Sequence, residues 1–470
     1  MDDHRTDMTG ALARFISNLD LVSVPAKVQS EARRLLLDSI GCMLLAARTC
    51  IAPVSVQMAE FLGAGDVATI IGCDRRGSTA GALYANGRLA NCMDLDETFP
   101  VGHHFGGATV AAALALAEEQ NASGAEFLQA VIAGYELGGR VASACGAHMF
   151  GAIGRLYHFS VSTAFAGAGV AIRLGLQDEA LARQTLGIAG SNTPLPNMWP
   201  GKSTELPHSK YQDAGWAVLA GVFAARSATF GATGLSAIFD DQPGLIRMCG
   251  THHFDSDLLV GDLGARWMLS DITYKPWPTC RWMHHPLTAL LEAIDSADVD
   301  PAGVERVVIA TNVLLSGARF ANTRPVTWVS RQYSIPHAVA MILLGMPIST
   351  WLDDEHDRNE AVQELRERVI VEHWDDADCY LDHIVKGQLR NMPARATVIM
   401  RDGKHFEAET EFALGDPWTS RTAYGDGDVI KKFRSISGLS SRRADEVIEA
   451  ALGIEQLRDV HGLTRLLRVS

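Results

Sequence analysis

The chain has 470 residues, of which 47% are hydrophobic and 20% charged, and its formal net charge is −14 with a pI near 5.6. This composition is enough for a large core, and the length predicts roughly two to four domains of about 150 residues. The acidic balance argues against nucleic acid or an anionic membrane surface as a partner, because both require a basic face. An anionic small molecule would need a locally basic pocket.

The N-terminal segment MDDHRTDMTG has neither the basic region nor the apolar stretch of a signal peptide. The longest apolar runs, such as residues 216–225, end well before the ~20 residues that span a bilayer. Eight cysteines include no Cys-x-x-Cys pair, as is typical of reduced thiols. We therefore expect a cytoplasmic protein that does not cross a membrane.

Helical periodicity runs through the first 235 residues. Small and apolar residues recur three and four positions apart in EARRLLLDSIGCMLLAA (31–47), GATVAAALALAEEQ (107–120) and WAVLAGVFAARSA (216–228). Small side chains let helices approach closely, so packing and turns account for the 43 glycines. The segment GAGVAIRLGL (167–176) lacks the glycine spacing and preceding strand of a nucleotide-binding loop.

From about residue 270 the pattern changes to a mixture of strands and helices. VERVVIATNVLL (304–315) and ERVIVEH (367–373) are β-branched runs, and two alternating stretches meet at Asp402-Gly403, which predicts a hairpin. Residues 334–345 are helical in pattern, so this region is expected to be α+β. The tail from about residue 425 returns to amphipathic helix.

Polar residues of several types come together in YANGRLANCMDLDETFPVGHHFGG (84–107). Asp94 and Thr98 are four residues apart, which predicts that they share one face of a helix, and a histidine pair follows in a predicted loop. A carboxylate, a hydroxyl and an imidazole are therefore expected to lie close together.

This segment resembles the MmgE/PrpD family, which carries Asp-x-Asp-Asp-Thr after Ala-Asn-Gly, with a histidine six residues past the threonine. That histidine is His104 here, and Glu97 stands where the motif has its last aspartate. Five further segments resemble the family in order, namely 133–144, 154–176 with His158, 209–234 with Lys210, 274–286 with Lys275 and His284, and 330–340.

The resemblance implies a mostly α protein with a large helical domain of residues 1–269 and 413–470 and a smaller α+β lid of residues 270–412. It also implies a homodimer. Family members include 2-methylcitrate dehydratases, cis-aconitate decarboxylases and iminodisuccinate epimerases, which act next to carboxylates without a metal or organic cofactor. Each activity makes or breaks a bond at a carbon beside a carboxylate, so negative charge builds there and a proton moves.

The residues carried over fit that chemistry. Lysines and, if it points inward, Arg281 can hold carboxylates and stabilise enediolate-like charge. Histidines such as His104 and His158 can transfer the proton, with Asp94 orienting a histidine or lysine and Thr98 donating a hydrogen bond. The predicted catalytic residues are His104, His158, Asp94 and Lys210, and the predicted substrate-binding residues are Thr98, Lys275, Arg281, His284, Asp213 and His337.

Simpler interpretations stay open for several of these residues. A histidine in a helical protein is often a structural group, Asp94 could cap or brace its helix, and Cys280 could line the site or pack in the core. Three adjacent histidine pairs, at 103, 252 and 284, could suggest metal binding. Adjacent residues point in different directions, however, and neither HExxH nor the spacing of an iron–sulfur site accompanies them. We therefore predict no metal.

Two departures from the family pattern bear on the substrate. Asp213 replaces a histidine three residues after Lys210, and His337 replaces a tyrosine. We hypothesise that the added negative charge favours a dicarboxylate over a tricarboxylate. Three functions stay open: a lyase that dehydrates a 2-methylcitrate-like acid or decarboxylates a cis-aconitate-like one, an isomerase of an iminodisuccinate-like acid, and a non-catalytic dimeric binding protein.

Overall fold

The structure is a computed structural model that describes most of the chain. The described residues are 7–100, 102–145, 160–193, 204–208, 213–240, 254–295, 299–380 and 390–469, with the backbone alone at 156, 157, 159, 197 and 198.

Helices dominate the described residues before residue 260, which confirms the prediction of a mostly α fold. The helices of this region are Met8–Ser17, Ala26–Ala46, Ile51–Phe61, Thr79–Cys92, Gly106–Gln120, Gly124–Cys145, Phe159–Leu174, Glu179–Asn192, Ala214–Thr229 and Ser256–Val260. Two short antiparallel pairs accompany them, Ala68–Ile70 with Arg75–Gly77 and Leu156–Tyr157 with Asn197–Met198.

Glycines allow these helices to pack at close range. A Cβ atom on Gly221 would lie 1.8 Å from the carbonyl oxygen of Ala164, and one on Gly167 would lie 2.3 Å from that of Val218. Helices Phe159–Leu174 and Ala214–Thr229 therefore approach backbone to backbone, which larger side chains would prevent.

A four-stranded sheet forms the smaller α+β region. Its spatial order is Val369–His373, Val304–Thr311, Ala394–Met400 and His405–Thr410. The first pair is parallel and the other two are antiparallel. The hairpin predicted at Asp402-Gly403 is confirmed, and Gly403 has the positive φ of 87° that this turn requires. The helices of this region are His284–Ile294, Trp328–Arg331, Ile335–Leu343 and Glu360–Glu367.

Two apolar cores organise the molecule. The first joins the N-terminal helices with the C-terminal helices Asp426–Ile436 and Ser441–Leu452, through buried residues such as Phe433 and Val447. The second lies between the sheet and its helices and includes Val307, Val339 and Val398. The C-terminal helices thus pack on the first core, while the domain limits at residues 270 and 413 stay a prediction. A short helix, His461–Thr464, follows the two C-terminal helices.

Within the described residues, no single helix has both the length and the apolar character needed to cross a membrane. The bent pair formed by Ala26–Ala46 and Ile51–Phe61 meets that test by length and composition when the two helices are taken together.

Candidate active site

The loop after helix Thr79–Cys92 carries the first group of candidate residues. Asp94 has a positive φ of 53° and Thr98 pairs with Thr273 in an isolated bridge, so the prediction that Asp94 and Thr98 share a helix face is wrong. The helix ends early because the loop finds other partners: the Asn91 amide donates to Asp96 at 3.0 Å, and the Thr98 N–H donates to the Thr273 carbonyl at 2.9 Å.

Lys275 lies between the two aspartates of this loop. Its Nζ atom is 2.6 Å from Asp94 Oδ1 and 3.8 Å from Asp96 Oδ1, and all three side chains are buried. Burial opposes the charged form of Lys275, but the two carboxylates outweigh that cost and raise its pKa. Lys275 is therefore an ammonium group already bound by protein carboxylates. Asp96, which our sequence prediction missed, is signalled only by its place in the same motif.

The Nδ1 atom of His104 has three polar atoms near it. It lies 3.1 Å from the Glu97 carbonyl oxygen, 3.2 Å from the Thr98 hydroxyl and 3.9 Å from Asp96 Oδ2. A carbonyl oxygen only accepts, so the network assigns the proton to Nδ1 and leaves Nε2 as the nitrogen that gains or loses a proton. This arrangement fixes both the ring orientation and the tautomer.

Glu97 is a buried carboxyl group beneath this loop. Its Oε1 accepts the Gly106 N–H at 2.5 Å, at the start of helix Gly106–Gln120, and the Tyr135 hydroxyl donates to its Oε2 at 3.3 Å. Burial and the nearby Asp96 raise the pKa of Glu97 to about 8. The extra methylene of glutamate, where the family motif has aspartate, lets this carboxyl group reach the helix start.

Arg281 and His284 lie on the segment that follows Lys275. Arg281 Nε donates to the Thr273 hydroxyl at 3.2 Å and Nη2 donates to Asp416, while its buried Nη1 has no hydrogen-bond partner among the described residues. His284 Nε2 contacts the Thr279 hydroxyl and carbonyl, which leaves Nδ1 as an acceptor. Burial, Arg281 and Lys275 hold the pKa of His284 well below its usual range. Arg281 therefore retains a hydrogen-bond donor, and His284 retains a hydrogen-bond acceptor, that a ligand could use.

Asp213 and His337 have partners of their own. The Asp213 carboxylate pairs with Arg88, accepts from the Tyr84 hydroxyl at 2.9 Å and caps helix Ala214–Thr229. His337 lies in the second core, where its Nδ1 accepts from Arg366 at 2.6 Å and its Nε2 donates to the Trp351 carbonyl at 2.6 Å.

In the described contacts, neither Asp213 nor His337 touches the Lys275 cluster, which consists of Lys275, Asp94 and Asp96. Their roles in substrate binding stay predictions. His158 and Lys210, the other predicted residues, lie outside the described part of the chain.

In the part of the chain that the structure describes, one group of residues could hold a metal ion. A ligand atom from each of Asp94, Asp96 and His104 lies within 4.8 Å of the others, and carboxylate and imidazole are ordinary ligands of divalent metals. A dication here would stand beside the Lys275 ammonium, whose positive charge opposes it. We therefore expect Lys275 to serve as the cation for these carboxylates.

Contacts between the two cores complete this site. The Gln332 side-chain amide, from the α+β region, donates to the Cys92 carbonyl at 2.9 Å, and the Cys280 N–H donates to the Gln332 carbonyl at 2.8 Å. The bond from Gln332 to Cys92 links the α+β region to the end of helix Thr79–Cys92, so the cluster lies beside the junction of the two cores, a common place for ligand sites.

Comparison with known proteins identifies the family. The chain matches the model of the MmgE/PrpD N-terminal domain over residues 10–256 and that of the MmgE/PrpD C-terminal domain over residues 277–455. The chain belongs to the MmgE/PrpD family.

Several relatives in this family match along nearly the whole chain. The identity is 24% to a cis-aconitate decarboxylase-like protein of Aspergillus oryzae, covering 98% of this chain and 97% of the relative. It is 22% to a cis-aconitate decarboxylase of Aspergillus terreus, covering 98% and 96%, and 23% to one of Homo sapiens, covering 98% and 94%. Membership of the MmgE/PrpD family and these relatives support a lyase-type reaction at the level of the family.

Proposed function

We propose that this protein is a cofactor-independent lyase that removes a carboxyl group from a small polycarboxylic acid of the cis-aconitate type. The names of the relatives favour decarboxylation over dehydration. The observation that carries the proposal is His104, whose Nδ1 is fixed by the Glu97 carbonyl beside a buried lysine–aspartate cluster. Such a ring is prepared to deliver a proton from Nε2.

The chemistry requires one bond to break and one to form. The bond between carbon and the departing carboxylate breaks, carbon dioxide leaves, and the electron pair spreads over the adjacent unsaturated acid. A proton from His104 Nε2 then forms a new C–H bond, and solvent returns the proton to the imidazole. Asp96, 3.9 Å from Nδ1, stabilises the imidazolium form before transfer.

Charge also has to be balanced when the substrate binds. Asp94, Asp96 and Lys275 together carry one net negative charge if both carboxylates are ionised, so this cluster alone would repel a polyanion. We propose that the ammonium of Lys210 supplies positive charge to a substrate carboxylate, and that the buried Nη1 of Arg281, whose charge is paired with Asp416, donates a hydrogen bond to another. His284 Nδ1 can accept a hydrogen bond from a protonated acid or from water.

Proton NMR in deuterated water tests the proposal with cis-aconitate, 2-methylcitrate and an amino-dicarboxylate as substrates. We expect loss of carbon dioxide from cis-aconitate and one deuterium on the product carbon. His104→Ala should reduce kcat about 10²- to 10⁴-fold, while His405→Ala, in the exposed hairpin strand, should not.

Other outcomes of that experiment would each contradict decarboxylation. Loss of water alone would identify a dehydratase, and exchange of deuterium without other change would identify an isomerase. No reaction with any acid would favour a binding protein. Near-normal kcat in His104→Ala would remove this residue from the mechanism.

We also propose that the protein acts as a homodimer, as the resemblance to the family implies. Light scattering on the purified protein should give twice the mass of 50.7 kDa calculated for one chain. A mass equal to one chain at the concentrations used in the assays would contradict this proposal.

A further inference from the structure

A lysine from the C-terminal helix reaches the loop that holds Asp94 and Asp96. Lys432 lies on helix Asp426–Ile436, and its buried Nζ donates to the Leu95 carbonyl at 2.7 Å. The same Nζ is 2.6 Å from Asp38 Oδ1, an ion pair with a carboxylate buried on helix Ala26–Ala46. One ammonium group therefore joins three segments that are distant in sequence.

The position of the Leu95 carbonyl affects the orientation of both aspartates. Leu95 stands between the two residues whose carboxylates bind Lys275, and its neighbour Asp94 has the left-handed φ of 53°. A non-glycine residue persists in that conformation only when surrounding contacts impose it. A charge-assisted bond to the next carbonyl sets the orientation of this peptide and so the direction in which both carboxylates point.

Lys432 and Asn91 hold different parts of the loop that carries Asp94 and Asp96. Asn91 holds the Asp96 side chain from the preceding helix, at 3.0 Å, whereas Lys432 holds the backbone between the two aspartates. Asp38 keeps Lys432 in place by pairing with its charge. Burial raises the pKa of Asp38, and the Lys432 and Lys275 ammonium groups oppose that rise, so the two ion pairs lie within electrostatic reach of each other.

We propose that Lys432 is a positioning residue for the reaction, which acts by fixing the Leu95 carbonyl so that Asp94 and Asp96 hold Lys275 beside His104. The inference rests on the proposed function for its effect on turnover. The effect of Lys432 on the conformation of the loop does not depend on any substrate. Lys432 itself touches no reacting atom.

The test compares four variants with the wild-type protein. Asp38→Asn with Lys432→Met removes both buried charges together, so that no unpaired carboxylate remains in the core. Lys432→Arg retains a cationic donor. Lys431→Met is the matched control, because it makes the same change at the exposed neighbouring position. Asp38→Asn alone leaves the bond from Lys432 to Leu95 available.

Two measurements decide the outcome. In the double variant, kcat should fall about 10- to 100-fold, the loss expected when reacting groups are misplaced by about 1 Å, while KM changes less than about threefold, because the substrate carboxylates bind elsewhere. Hydrogen exchange followed by mass spectrometry should show faster exchange in residues 93–98. Lys432→Arg should recover most of the kcat, and Lys431→Met should match the wild type in both measurements.

The two proposals fail in different ways. If the wild-type protein converts no acid, the proposed function fails, and hydrogen exchange alone decides whether Lys432 fixes the loop. Unchanged exchange in the double variant would overturn the positioning role whatever the activity. Faster exchange in the double variant with kcat within twofold of an active wild type would also overturn it. Lys432 would then stabilise the loop without any effect on the reaction.

Discussion

Replacement of Lys275 by methionine is the most direct test of the buried cluster. Across 2.6 Å the attraction between Lys275 and Asp94 is about 6 kcal/mol at an effective dielectric constant of about 20. Part of this attraction offsets the several kcal/mol that it costs to bury each ion. Methionine forfeits the attraction but leaves Asp94 and Asp96 buried, so we expect a loss of about 3–5 kcal/mol in the free energy of unfolding at neutral pH.

This loss should depend on pH in a defined direction. Without the ammonium group, the buried Asp94 and Asp96 carboxylates lose the cation that stabilises their charged forms, so protonation of these groups favours the folded variant. The folded variant then binds more protons than the unfolded chain, whose carboxyl groups ionise near about pH 4, and its stability falls as pH rises. The deficit relative to wild type should therefore be largest at about pH 8 and smaller at about pH 5.5.

Urea denaturation followed by far-ultraviolet circular dichroism, at both pH values, measures this effect. Asp94→Asn in the Lys275→Met background is the control, because it removes one of the unpaired charges and should recover part of the lost stability. A deficit below about 1 kcal/mol that does not change with pH would refute the reasoning, since it would mean that the carboxylates do not depend on Lys275.

Three further predictions concern residues around the cluster. Glu97, with a pKa of about 8 in the folded protein, is protonated at neutral pH. Its contribution to stability is complete below its ordinary pKa of 4.5 and is lost as pH rises from there to about 8. Glu97→Gln should therefore unfold like wild type near about pH 4.5 and at an increasingly higher temperature toward about pH 9. Gln332→Leu should lower the free energy of unfolding by about 1–3 kcal/mol, since the hydrogen bond from the Gln332 amide to the buried Cys92 carbonyl is lost, and should lower kcat/KM. Asp213→Asn should keep the helix cap, and substrate competition assays should show improved binding of tricarboxylates if charge at this position opposes them.

Elements with local periodicity were predictable from the sequence. Small and apolar residues at three- and four-residue spacing indicated helices near residues 31–47, 107–120 and 216–228, and these are present as Ala26–Ala46, Gly106–Gln120 and Ala214–Thr229. The hairpin at Asp402-Gly403 was predictable because the turn chemistry and the alternating flanks agree. In these segments neighbouring residues alone specify the backbone.

The conformation of the Asp94 loop was not predictable in this way. A spacing of four residues favours a shared helix face for Asp94 and Thr98, but their partners lie far along the chain. Lys275 is 181 residues from Asp94, and Thr273 is 175 residues from Thr98. Contacts of that separation override local propensity, and only the family motif indicated that these residues belong together.

The charge of the cluster bears on what the site can select. An acidic chain was expected to need a basic pocket for an anionic substrate, yet Lys275 is committed to Asp94 and Asp96. Lys275 therefore stabilises the charged forms of two carboxylates near His104, as expected of a preorganised polar environment. Arg281 Nη1 can donate a hydrogen bond to a ligand, but the positive charge of Arg281 is already paired with the buried Asp416. The net charge of these described groups therefore stays at that of the Lys275 cluster, −1 if all the carboxylates are ionised. Each further carboxylate on a ligand adds to this unfavourable charge, so a dicarboxylate is opposed less than a tricarboxylate unless another cation enters the site.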